Sequence, residues 1–138
     1  MGAWLGLVFG AVVLISGDAA PFLAVNPLGA IVTVIVKGMA CGYFAGLTYR
    51  LIAKLNTYAG VAVAAVVCPV VNTGIFLIGC LLFFMEIIEG WAIAAGFSGD
   101  IGGYILFVLV GANFLFELCS NVILSPIIVR LLKAKSEI

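Results

Sequence analysis

Lys37, Asn72 and Glu117 stand deep inside the apolar stretches of a chain of 138 residues. A polar group in hydrocarbon is costly unless it finds a partner or lines a cavity, so each is a candidate functional residue. Their chemistry is that of recognition. Lys37 offers an ammonium to an anionic group, Asn72 an amide, and Glu117 a carboxylate that can accept hydrogen bonds. Opposite charges make a purely structural Lys37–Glu117 ion pair the competing reading. Two further patterns extend the set. Asn113, Glu117 and Asn121 recur every four residues and share one helix face. In "CPVVNTG", Pro69 removes one intrahelical hydrogen bond and frees a carbonyl about one turn earlier, just before Asn72 and Thr73. That stretch reads equally as a substrate-facing irregularity or as a proline kink for packing.

No catalytic constellation accompanies these residues. The chain has no histidine, no Ser/His/Asp set, no phosphate-binding loop and no metal-ligand spacing. An enzyme is not expected, nor a cofactor. Cys41, Cys68, Cys80 and Cys119 form no CxxC pair and read as small buried hydrophobes.

The elements that must position the polar residues follow from composition. The chain is 66% hydrophobic and 9% charged, against roughly 45–50% and about 25% for soluble domains. It reads as an all-α integral membrane protein, a single transmembrane domain over 1–138 within a lipid bilayer. No basic stripe exists to bind nucleic acid. Four apolar blocks run over 2–16, 28–49, 58–84 and 103–132. Crossing a bilayer takes about 20 residues, which blocks two to four supply and the first does not. The first block could instead be a secretory signal, but it lacks a basic n-region, since nothing before Lys37 is basic. Its Gly2, Gly6 and Gly10, like Gly38, Gly42 and Gly46 in the second block, form a small-residue ridge for close helix packing. The first block therefore reads as a fourth membrane helix.

Charge sorts the connectors. Arg50 and Lys54 lie between blocks two and three, and Arg130, Lys133 and Lys135 follow block four. The other two connectors hold Asp18, Glu86, Glu89 and Asp100 and no basic residue. Cytoplasmic segments are the ones enriched in Lys and Arg. Four spans with both termini cytoplasmic satisfy every connector, in a multi-pass protein of the cell membrane. Counted from the outer ends of their blocks, Lys37 lies roughly 14 Å deep, Asn72 roughly 18 Å and Glu117 roughly 21 Å. On that count Glu117 is the more structural residue, and Asn113 the likelier neighbour of Lys37 and Asn72.

The strings "GAWLGLVFGAVVLI" and "NPLGAIVTVIVKGMACGYFAGLTYRLI" resemble the third and fourth helices of the substrate-binding S components of energy-coupling-factor (ECF) vitamin transporters. "VAAVVCPVVNTGIFLIGCLLFF" is similar to the fifth helix of that family and "ELCSNVILSPIIVRLL" to the sixth. The resemblance implies helices 3–6 of a six-helix fold that captures a vitamin from outside. It implies partnership with a transmembrane coupling protein and two cytoplasmic ATPase subunits. Segments 17–27 and 85–102 would then be ligand-gating loops, and Asn26, Lys37, Asn72, Trp91, Asn113 and Glu117 would fall around the pocket. The family's first two helices have no counterpart here, so either a longer chain or a partner is expected to supply them. A lysine in the pocket favours a carboxylate- or phosphate-bearing substrate, such as pantothenate or a flavin nucleotide, and leaves a neutral one open. Trp91 would stack on a ring or rest at the headgroup level. Two other functions fit the same residues: a small oligomeric channel or transporter, and a non-transporting membrane scaffold.

Overall fold

A computed structural model describes residues 2–136 as helices joined by short turns, with no strand among the described residues. The helices are α1 (Gly2–Ser16), α2 (Ala20–Val25), α3 (Pro27–Ile52), α4 (Thr57–Gly79), α5 (Met85–Ala94), α6 (Ile101–Tyr104) and α7 (Ala112–Ser136). Their starts are written locally. Asn26 accepts from the Gly29 amide at 3.0 Å, with Pro27 at the first helical position. Asn56 accepts from the amides of Tyr58 and Ala59 and so begins α4. Asp100 accepts from the Gly103 amide at 2.8 Å and begins α6.

Two π-helical segments join elements that the sequence separates. Cys80–Phe84 carries α4 into α5, and Ile105–Gly111 carries α6 into α7. The third apolar block therefore does not end at residue 84. It continues as one helix of 38 residues, Thr57–Ala94. The connector expected over 85–102 shrinks to the short turn at 95–100, and the other, over 17–27, contains α2. Glu86 and Glu89, which read as connector charges, are exposed residues of this helical extension.

Three helices are long and apolar enough to cross a membrane: Pro27–Ile52, Thr57–Ala94 and Ile101–Leu131. The 15 residues of α1 extend roughly 22 Å, short of a hydrocarbon core about 30 Å thick. The expected fourth span is thus shorter than a full crossing. Large apolar side chains face outward on all sides, with Phe107 at 77% and Phe116 at 76% exposure. Helices that are apolar on every face suit lipid as their solvent.

Helix α1 lies antiparallel along α3, Gly2 against Gly42 and Gly6 against Gly38. A Cβ on any of these four glycines would run into the facing backbone carbonyl. Only glycine permits that approach, as the small-residue ridges predict. The register starts α1 about ten residues, ~15 Å, short of the C-terminal end of α3. Helix α3 packs on α4, and α4 on α7. Among the described residues, α1 and α7 make no comparable contact, so the four helices form an arc and not a closed bundle. A compact apolar core of Ala30, Cys80, Phe84, Ile88, Ala92, Tyr104 and Ile105 closes the end of the arc opposite Arg50.

Both internal prolines leave an orphan carbonyl, and each orphan has a side-chain donor. Pro69 has no N–H for the Ala65 carbonyl, and the Asn121 amide of α7 donates to it at 3.4 Å. Pro126 likewise leaves the Val122 carbonyl, to which the Ser125 hydroxyl donates at 2.8 Å.

Candidate functional site

A cavity of about 930 Å³ occupies the inside of the arc, lined by α1, α3, α4 and α7 and by both π-helical segments. Its size falls within the range of small-molecule pockets, about 300–1,000 Å³. Most of its wall is apolar, and polar side chains from α3, α4 and α7 interrupt it. Lys37, Asn72, Asn113 and Glu117, four of the six expected site residues, all line it.

The Asn72 Nδ2 group donates to Glu117 Oε2 at 3.0 Å, joining α4 to α7. The bond spans the small difference in depth expected between Asn72 and Glu117. The extension of the third helix to Ala94 and the π-helical widening shift the outer ends from which depth was counted. Lys37, on α3, places its Nζ over the Phe76 ring, 5.4 Å from the centroid and one turn beyond Asn72 on α4. The partner of Glu117 is thus Asn72, and Lys37 faces an aromatic ring. Asn113 is exposed, one turn before Glu117.

The other two expected residues do different work. The Asn26 side chain caps α3 and does not line the cavity. Trp91 sits behind the wall, edge-on to Phe22 with ring centroids 5.6 Å apart. Phe22 also meets Phe76 at 5.6 Å and Phe84 at 5.0 Å, so α2 brings an aromatic cluster to one end of the cavity. Asp18, which accepts from the Ser16 hydroxyl at 2.7 Å, lines the cavity as well.

Thr33 is the residue that sequence reasoning missed. It precedes Lys37 by one turn, lines the cavity, and is only 5% exposed. A side chain at Gly79 would collide with it, so the glycine makes its room on α4. Thr33 Oγ1 and Asn72 Oδ1 are buried oxygens with no hydrogen-bond partner among the described residues. The four-residue spacing from Lys37 was the available signal. Cys41 and Cys68 also line the wall, Cys80 is buried, and Cys119 is exposed, which corrects its reading as a buried hydrophobe.

The arrangement can hold a small amphipathic molecule: apolar wall and aromatic rings for its body, and a few converging polar groups for orientation. Compared with known proteins, the chain matches no family model, no curated protein and no solved structure.

Proposed function

We propose that the protein is a membrane-embedded substrate-capture subunit, of the kind represented by the S components of ECF transporters. It takes a small organic anion into the cavity against Lys37. The observation that carries this reading is the cavity itself, which gathers Lys37, Asn72 and Glu117 within a mostly apolar wall. A lysine held over a ring, without an ion pair, is free to receive an anionic group. In this reading α1 serves as a fourth membrane helix and both termini are cytoplasmic, because the basic residues gather at one end of the arc. Transport then depends on a coupling protein and ATPase subunits as partners. The test is binding to the purified protein in lipid nanodiscs, across a panel of vitamin-sized carboxylates and phosphates. Lys37→Met should abolish binding while the variant still inserts and folds; unchanged binding would refute the role of Lys37.

A second reading rests on the open edge. The cavity is lined by both α1 and α7, which do not pack on each other, and a second copy could complete the wall of a pore. Ion flux through liposomes holding only this protein would favour that reading over substrate capture.

A further inference from the structure

A second cavity, of about 360 Å³, continues from the first toward the basic end of the arc, and the two share Gly46, Cys68 and Asn121 in their walls. It is a groove between α3, α4 and α7, and no residue of α1 lines it. Tyr49, Val61, Ala64 and Ile128 form much of its wall, and Ile128 is 43% exposed, so the groove is open to its surroundings. Asn121 already donates its amide to the Ala65 carbonyl. An occupant of this stretch is therefore apolar, because a polar group would leave water and find little in exchange. The rim has the opposite character. Lys133 holds its ammonium over the Tyr58 ring, 4.3 Å from the centroid, and donates to the Tyr58 hydroxyl at 3.3 Å. Tyr58 stands one turn before Val61 on α4, which puts that ammonium at the mouth of the groove. An ammonium has three N–H donors, so two are left for another acceptor. Arg50 follows Tyr49 directly and Arg130 follows Ile128 by two residues, and both are exposed. No acidic residue among the described ones stands at this end. Asp18, Glu86, Glu89 and Asp100 belong to the opposite end, and Glu117 to the first cavity.

We infer that this groove binds an anionic phospholipid from the leaflet at the basic end. One acyl chain lies along Val61, Ala64 and Ile128, and the phosphate meets the Lys133 ammonium, with Arg50 and Arg130 adding positive charge at the same level. Charge complementarity selects this occupant. A zwitterionic lipid carries its own cation, which a basic rim disfavours. A second copy of the chain in the same membrane would bring a rim of the same sign against this one, and like charges across an interface are costly. Basic pockets between membrane helices recognise anionic headgroups in this way, and each Lys or Arg near the surface is worth about fivefold in affinity. Nothing in this site draws on Lys37 or on the ligand of the first cavity.

The test is lipid titration of the full chain in detergent, read by native mass spectrometry, with dioleoyl phosphatidylglycerol and dioleoyl phosphatidylcholine as probes. Phosphatidylglycerol should be retained at least about fivefold more tightly than phosphatidylcholine. Lys133→Gln should weaken phosphatidylglycerol by about fivefold and leave phosphatidylcholine unchanged, and Lys133→Arg should restore the preference. Lys133 is exposed, so both variants keep the fold. Glycerol 3-phosphate, a phosphate headgroup without chains, should not compete at millimolar concentration. Equal retention of the two lipids, or a preference that Lys133→Gln leaves intact, would overturn the inference. Competition by glycerol 3-phosphate would mark a site for free phosphate and overturn the lipid assignment. A lipid-free dimer that Ala64→Phe abolishes, by filling the groove, would assign it to a second copy and overturn the inference too.

Discussion

The hydrogen bond between Asn121 and the Ala65 carbonyl should exist only because of Pro69, and a double-mutant cycle can prove it. Pro69 is buried within α4 and supplies no N–H to Ala65, so that carbonyl turns to the Asn121 amide on α7 at 3.4 Å. Leaving a buried carbonyl unmet costs about 1–3 kcal/mol in water-soluble proteins. Hydrogen bonds between membrane helices average only about 0.6 kcal/mol and reach about 1.7. The bond is long, so Asn121→Leu should destabilise the protein by roughly 1 kcal/mol. In a Pro69→Ala background the restored N–H at position 69 meets the Ala65 carbonyl within α4. There Asn121→Leu should cost almost nothing, giving a coupling of about 1 kcal/mol between residues 52 positions apart in sequence. Reversible unfolding in mixed micelles measures all four corners. Equal costs of Asn121→Leu in both backgrounds would refute the reasoning, because the carbonyl would then have had another source of satisfaction.

Three further outcomes test the packing and the orientation. Gly38→Leu forces a side chain into the Gly6 carbonyl and should destabilise by about 3 kcal/mol or more, read in the same unfolding assay. Gly74→Ala meets no atom within 4 Å and should stabilise by about 0.5–1 kcal/mol through helix propensity alone. A cysteine placed at Ser98 should react with an impermeant thiol reagent on intact cells, whereas one at Leu55 should react only after permeabilisation; the reverse pattern would invert the proposed topology.

The starts of the helices carry a chemical signal that the hydropathy blocks did not use: Asn26–Pro27, Asn56 and Asp100 are caps. The glycine ridges were legible, since their spacing matches a helix face. The end of the third helix was not. Glu86 and Glu89 read as a connector because they are charged, yet their charge only requires an exposed face, which a helix supplies as well as a loop does. The π-helical segments left no periodic signature, and they shift the register by which depth was counted. Asn26 and Trp91 were assigned to the pocket by resemblance, and the fold gives each a nearer partner: a helix start for one, the Phe22 ring for the other.

The stability of Lys37→Met separates a binding lysine from a structural one. A lysine at the centre of a membrane helix is disfavoured by about 2.5–3.5 kcal/mol on insertion scales. The Phe76 ring under its ammonium, at 5.4 Å, returns about 0.5–2 kcal/mol. Glu117 is engaged by Asn72 and no direct ion pair offsets the remainder. Cavity water and the reach of the side chain recover part of it. The balance still leaves Lys37 destabilising, and Lys37→Met should therefore raise the stability of the unliganded protein by about 1 kcal/mol. Residues that lower stability in the absence of a ligand are retained for what they do when it arrives. Measured in mixed micelles, a loss of stability in Lys37→Met would mean that the ammonium holds the arc together. The cavity would then be a by-product of packing, and substrate capture would have lost its anchor.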